Sequence, residues 1–349
     1  MLKGINIHGF KSLGAANLLL SPLTILTGTN SSGKSSVLQA LMLLIKHSAS
    51  VNQYSMEDVI RFLADFSIIR NKKINAKSIV ISAQDIENNS HTLTLNAENT
   101  DIDSRLGYQY EPRFVGGEPE LLYLNANRLG AQEMVPVSER RVGGAGEHLF
   151  STFDKMKHLP VPDYLVKASE STTLAYQLSY WLKLITGTTS ELVTEKVGDQ
   201  VKVAFTLREL EGNVSPLNLG AGMSYIAKVL IICLMAKKGD LILLENPEIQ
   251  LHPKAQAHLA IFLSFIASKG IQIIVETHCE HLINRLAYQV YDDEIASSDV
   301  VVHYKPNVDE SFISLLIDGD GEFTDLNNNK VAFPKGFFDA TLAELMEMR

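Results

Sequence analysis

The chain has 349 residues, a formal net charge of −9 and 46% hydrophobic residues. That length accommodates one large α/β domain or two smaller ones, and the apolar content excludes wholesale disorder. The acidic balance gives no overall electrostatic reason to expect nucleic acid, and two cysteines, Cys233 and Cys279, offer no disulfide framework and suit a reducing cytosol.

Met1 to Phe10 alternates polar and apolar residues, unlike the apolar run of a signal peptide. The longest apolar run, Val229 to Ala236, is too short to span a bilayer, so a cytoplasmic protein with no membrane partner is expected. Leu2 to Leu13, with Ile5, Ile7 and Phe10 against Asn6, His8 and Lys11, reads as a half-buried strand with a turn at Gly9 or Gly14. Leu23 to Thr27 is a short buried strand. It leads into Gly28-Thr29-Asn30-Ser31-Ser32-Gly33-Lys34-Ser35, which fits the phosphate-loop pattern G-x-x-x-x-G-K-[ST] at every fixed position. Val37, Leu38, Leu41, Met42, Leu44 and Ile45 follow at helical spacing, so a helix opens at the loop and runs to about His47. Together these make an anion cradle, with Ser36 included, in which loop amides and the helix N-terminus face phosphate oxygens. Lys34 would reach the β- and γ-phosphates, and the Ser35 hydroxyl would ligate Mg²⁺.

Ser48 to Arg70 is weakly helical. Lys77–Ser82 and His91–Asn96 alternate and predict an antiparallel hairpin turned at Glu87-Asn88-Asn89-Ser90. Glu120 to Asn127 reads as a buried strand leading into Arg128. Arg140-Arg141-Val142-Gly143-Gly144-Ala145-Gly146-Glu147 is a second glycine-rich stretch, either a connector or a phosphate contact without the spacing of a known cradle. Asp154 to Thr188 is largely helical and holds Trp181, and Glu191 to Leu210 gives two short strands joined at Gly198-Asp199. Residues 140–215 thus read as an insertion, helices then strands, within a single domain spanning 1–349.

Asn218 to Ser224 precedes the helical run Tyr225–Ala236, making Gly220, Gly222 and Ser224 candidates at a second anion-binding helix N-terminus. Asp240 to Glu248 is an apolar strand ending in carboxylates, where a phosphate-loop ATPase places its metal-directing acid. A buried parallel strand would deliver Glu245 beside the loop. Gly270 to His278 is a further buried strand, and His278 at its end can donate to a γ-phosphate or to attacking water. His278, Cys279 and His281 lack a matching second cluster and are not expected to hold a metal.

With these residues in order, the chain resembles the ABC-type ATPases of the RecF/SMC/OLD branch. Phe10-Lys11-Ser12, the acidic stretch Glu245 to Pro253, the histidine stretch Glu276 to Leu282 and the closing Phe333 to Asp339 carry the likeness, which covers about 1–47 and 215–349 well and the middle poorly. The resemblance implies an ABC-type head with a mixed central sheet, an N-terminal antiparallel portion and a mainly helical insertion. It implies a homodimer sandwiching ATP and Mg²⁺, with Lys34 and Ser35 on phosphate and metal, Glu245 near the metal and His278 on the γ-phosphate. The signature role falls on Asn218 to Ser224, acting in trans. Two departures stand out: Asn246 replaces the usual second acid, leaving hydrolysis to Glu248 or making it slow, and Gly220 replaces a serine. For the glutamine that follows the first sheet in this branch, Gln84 is the candidate.

Three functions compete. The first is an ATP-hydrolysing dimer that regulates a separate effector, such as a nuclease acting in trans, in bacterial anti-phage defence; the tail after His278 is too short for a Toprim nuclease domain. The second is a DNA-maintenance ATPase gripping duplex DNA through Lys72, Lys73 and Lys77 or Arg140 and Arg141. The third is a slow nucleotide-held scaffold, prompted by Asn246.

Overall fold

The computed structural model describes residues 1–48, 60–63, 65–110, 118–127, 129–208, 212–335 and 337–338. The chain opens as a hairpin of β1 (Leu2–Phe10) and β2 (Leu13–Leu19) in which Phe10 faces Leu13, so the turn is Lys11-Ser12 and neither glycine makes it. Lys11 takes a left-handed φ of 50°, held because its N–H bonds Ile69 O at 2.7 Å and its Nζ bonds Gln39 Oε1 at 2.6 Å. β3 (Leu23–Gly28) and α1 (Lys34–Ser48) follow. Of the weakly helical stretch, a turn at Arg61–Leu63 and the short α2 (Phe66–Ile69) are described; 49–59 and 64 lie outside the described residues. β4 (Ser78–Asp85) and β5 (Ser90–Asn96) form the expected hairpin, closed by the Asp85 carboxylate accepting the N–H groups of Glu87 and Asn89. With β6 (Thr100–Ile102) they complete a five-stranded antiparallel sheet, β2-β1-β4-β5-β6.

A second sheet begins with β7 (Gln109–Tyr110) and β8 (Glu120–Leu124); Arg128 lies outside the described residues. β9 (Met134–Pro136), α3 (Leu149–Met156) and α4 (Leu174–Thr186) come next. The helical expectation for Asp154–Thr188 is only partly met, since Pro160 and Pro162 keep the stretch between α3 and α4 irregular apart from a turn at Asp163–Leu165. β10 (Ser190–Val197) and β11 (Gln200–Leu207) are the expected strand pair, and β12 (Asn213–Val214) and β9 pair with β11. Then α5 (Ala221–Leu234), β13 (Leu241–Glu245), α6 (Pro253–Ala267), β14 (Gln272–Glu276), α7 (Glu280–Tyr291), β15 (Val300–Lys305), β16 (Ile313–Ile317) and β17 (Phe323–Thr324) finish the chain.

The central sheet is mixed, in the order β17-β16-β15-β3-β14-β13-β8-β7, and β15, β3, β14, β13 and β8 run parallel. Both its faces are covered, so the strands are near-continuous apolar runs. Successive residues of β13 serve two cores: Leu241 and Leu243 face α1 and the antiparallel sheet, while Ile242 and Leu244 face α3 to α7. α1 is clamped between the two sheets, and 11 of its 15 residues are buried, which is why it is apolar nearly all round. On the opposite face Trp181 of α4 packs edge-on to Phe262 of α6 at 4.9 Å, in a core shared with Phe150, Val203 and Phe205.

Candidate functional site

The parallel strands end along one edge, placing Gly28 (β3), Lys305 (β15), Glu276 (β14) and Glu245 (β13) side by side. This carboxyl edge is where open α/β sheets bind ligands. The loop after β3 is preformed. A Cβ on Gly28 (φ 128°) would stand 2.1 Å from Lys305 O, and one on Gly33 (φ 110°) 2.6 Å from Ser12 Oγ, so only glycine fits at either. Thr29 donates its N–H to Lys305 O (3.1 Å) and its hydroxyl to Pro306 O (2.7 Å), and Ser32 Oγ donates to Thr29 O (2.8 Å). Thr29, Asn30 and Ser31 are exposed, whereas Ser36 is buried with its N–H committed to Gly33 O. Lys34 is 3% exposed and donates to Thr29 O (2.6 Å) and Gly28 O (3.2 Å). Burial holds its ammonium below the usual lysine range, with Glu276 opposing.

The two acids at this edge serve different hydroxyls. Ser35 Oγ donates to Oε1 of Glu276 at 2.9 Å, whereas Glu245, expected near the metal, has Oε1 on the Tyr123 hydroxyl (2.9 Å) and Oε2 on the Ala126 N–H (3.0 Å). The reason is strand order: β14 lies between β3 and β13. Glu276 is 6% exposed, and burial pushes its carboxyl up to about 7; the Ser35 bond and Lys34 oppose, and Glu245 and Glu248 reinforce. Among the described residues, Glu276 Oε2 is buried and accepts no hydrogen bond. Asn246 turns the chain off β13 at φ 44° and donates its N–H to Glu276 O (2.7 Å). Glu248, also buried, braces the turn into α7: its Oε1 accepts from Thr277 Oγ1 (2.6 Å) and the His278 N–H (3.3 Å). His278 itself is exposed at the loop. Burial on its inner side, then the Lys34 charge, hold its imidazole below the usual range, and a hydrogen bond to the Gly28 backbone opposes them.

This constellation fits a magnesium nucleotide. The glycine cradle has room only for backbone, Lys34 stands at its floor, and the Ser35–Glu276 pair is a hard oxygen set of the kind Mg²⁺ takes. Among the described residues no group of three or more His, Cys, Asp or Glu could hold a metal alone. A cation there would therefore share its coordination with phosphate oxygens.

Other candidates fall elsewhere. Gly220 caps α5 and is exposed with Asn218, and a Cβ on Gly222 would meet Gln250 O at 2.5 Å. Ser224 is 1% exposed, already inside α5 on its buried side. Arg141 is buried in an ion pair with Glu120, joined by Lys237 Nζ at 3.1 Å, and Lys73 pairs with Asp309, so neither basic cluster is an open phosphate contact as a unit. Gln84 stands exposed on β4, in register with Gly4 and Ser90 of the antiparallel sheet. Glu276 and Tyr123 are the residues whose contacts at the site the sequence reading missed. The available signal was the carboxylate one residue before Thr277-His278, at the end of a strand.

Among the described residues no helix is long and apolar enough to cross a membrane. A search of curated proteins finds no match. Among solved structures, an SMC head bound to the C-winged helix domain of ScpA is 13% identical, covers 91% of this chain and 98% of its own, and has a TM-score of 0.52. An SMC head domain with an extended coiled coil, bound to the C-terminal domain of ScpA and derived from Pyrococcus furiosus, is 11% identical with coverages of 100% and 99% and a TM-score of 0.55. At such identity the likeness gives the fold alone, that of SMC heads. Two family profiles match the sequence: an AAA ATPase domain over residues 1–113, and over residues 82–284 a profile that runs through the middle the motif resemblance left poorly covered. Because this second match spans more than half of the chain, the protein belongs to the ATPase family described as "AAA domain, putative AbiEii toxin, Type IV TA system".

Proposed function

We propose that the protein binds and hydrolyses ATP with Mg²⁺, that two copies close on two nucleotides, and that closure regulates a separate effector in bacterial defence. The observation that carries this reading is the preformed cradle, with Lys34 buried at its floor and Ser35 opening α1 toward a buried carboxylate. Loop amides and Lys34 hold the phosphates, Ser35 faces the cation, and His278 meets the γ-phosphate. When bound, Mg²⁺ neutralises charge that develops on the transferred phosphate. Asn246 orients water without taking its proton, and Glu248 is engaged in bracing His278, so turnover is slow and the ATP-bound state long-lived.

The turn before α5, exposed at Asn218 and Gly220, supports completion of the site by a second copy, since it leaves the start of that helix open at the surface. The family description supports a defence role, and the SMC heads solved with ScpA domains are heads that take a partner protein. Light scattering on the wild type is expected to give a doubled mass with a non-hydrolysable ATP analogue and Mg²⁺ and a single mass with ADP. The effector should then co-purify in the ATP state, and a mass unchanged by ATP would rule out the sandwich.

A further inference from the structure

We propose that the outward face of α7 is a self-complementary surface that pairs with α7 of a second copy of this chain. The contact is separate from the ATP sandwich. β14 and β15 run parallel, so α7 between them runs back across the sheet, and its far end lies about 18 Å from the nucleotide edge.

The helix has two faces. Leu282, Ile283, Leu286, Gln289 and Val290 are buried, and Arg285, Tyr288 and Tyr291 recur at three-residue spacing on the other side. The two tyrosines are 48% and 57% exposed, with rings 6.0 Å apart, and the Arg285 guanidinium lies 5.1 Å from the Tyr288 ring. Tyrosine and arginine are the side chains that dominate protein interfaces. Charge is segregated along the same face. Arg285 stands in the middle of the helix, and the exposed Asp292, Asp293 and Glu294 follow its end. Among the described residues neither Arg285 nor any of these three acids is in an ion pair. The acids lie at the negative end of the helix dipole, where they cost stability unless a cation answers them. Lys330 is not that cation. It holds Asp318, Asp320 and Glu322 of the β16–β17 turn, whose Gly321 rests against Ala287 and Tyr291.

One arrangement answers both charges. Two α7 helices laid antiparallel, about a two-fold axis passing between Tyr288 and Tyr291, set each Tyr288 beside the partner's Tyr291. The same axis sets each Arg285 beside the partner's Asp292 and Glu294, and it repeats every contact. The acids also turn away nucleic acid, since residues 280–299 hold five acids against one arginine. A stripe about 18 Å long and one helix wide covers less than the about 800 Å² per partner of a standard interface. Pairing therefore needs tens of micromolar protein, above the dilute range in which light scattering reads the sandwich.

Sedimentation equilibrium on the nucleotide-free full chain in EDTA tests this surface, and its failure would leave the ATP reading untouched. At about 50 mM salt the wild type is expected to move from a single toward a doubled mass between about 1 and 100 µM. At about 500 mM salt the association should weaken about fivefold or more, because exposed charge pairs are screened. Arg285→Glu alone, and Asp292→Lys with Glu294→Lys alone, should each stay single, since each sets like charges opposite one another. An equimolar mixture of these two variants should associate within about threefold of wild type, because both ends then meet the opposite sign. Tyr288→Ala should weaken pairing about tenfold. Wild type that stays single to about 100 µM, a mixture that stays single, or a doubled mass that Arg285→Glu leaves intact overturns the proposal. Should the lysine variant fail to fold by circular dichroism, Asp292→Asn with Glu294→Gln takes its place, and undiminished pairing there also overturns it.

Discussion

Two glycine-rich loops in this chain carry basic residues and look alike in composition, yet they are built in opposite ways. At Gly28–Ser35 the glycines are demanded by backbone, Lys305 O standing where a Cβ of Gly28 would be, and the outer residues Thr29 to Ser31 are open. At Arg140–Glu147 the space beside Gly143 is taken by the carboxylate of Glu147, which also accepts the Ala145 N–H at 3.0 Å. The second loop brings its own anion, and its Arg141 is buried against Glu120. Glycine content therefore does not identify an anion site. What identifies it is whether the amides face solvent or a side chain of the same loop.

The largest expected effect that tests this contrast is on stability. Arg141→Ala leaves Glu120 buried with only Lys237 beside it, and should cost about 3 kcal/mol in urea unfolding with nucleotide affinity unchanged. Unchanged stability with lost nucleotide binding would make the second loop a phosphate site after all. Next, Lys34→Ala should weaken ATP binding about 100-fold, or about 2.7 kcal/mol, while Arg140→Ala changes it less than about threefold, both read by equilibrium titration. Equal losses would erase the distinction between the loops.

The smallest effect is a pH slope. Asp240 lies in the network under the second loop, and burial pushes its carboxyl up to about 6, with hydrogen bonds from the Lys237 and Glu120 N–H groups opposing. Between about pH 4 and 6 the folded chain keeps a proton that the unfolded chain has released, so stability falls as pH rises through that window. Asp240→Asn should flatten this part of the stability profile relative to wild type, and an unaltered slope would assign the titration elsewhere.

What the sequence made legible follows from distance along the chain. The phosphate loop and its flanking strand and helix are local, so fixed spacing exposed all of them. The hairpin at Glu87–Ser90 and the strands ending in Glu245 and His278 were readable for the same reason. The choice between Glu245 and Glu276 at Ser35 was not, because it depends on β14 inserting between β3 and β13, a fact of sheet order with no local mark. The burial of Ser224 was not legible either, because the periodicity that predicts α5 does not by itself say which side of the helix the neighbouring elements cover. The ion pair of Arg141 was not legible because its partner Glu120 lies at the start of another strand.

The position of β3 bears on how the protein is made. Both its neighbours in the sheet, β14 and β15, are synthesised roughly 250 residues after it, so a ribosome must deliver most of the chain before the loop strand has a partner on either side. Lys305, which bounds the Gly28 turn, arrives later still. Until then the nascent chain can form the N-terminal hairpin and α1 but no nucleotide cradle. ATP can stabilise only a chain that already reaches β15, so a product truncated before β14 would gain nothing from the ligand.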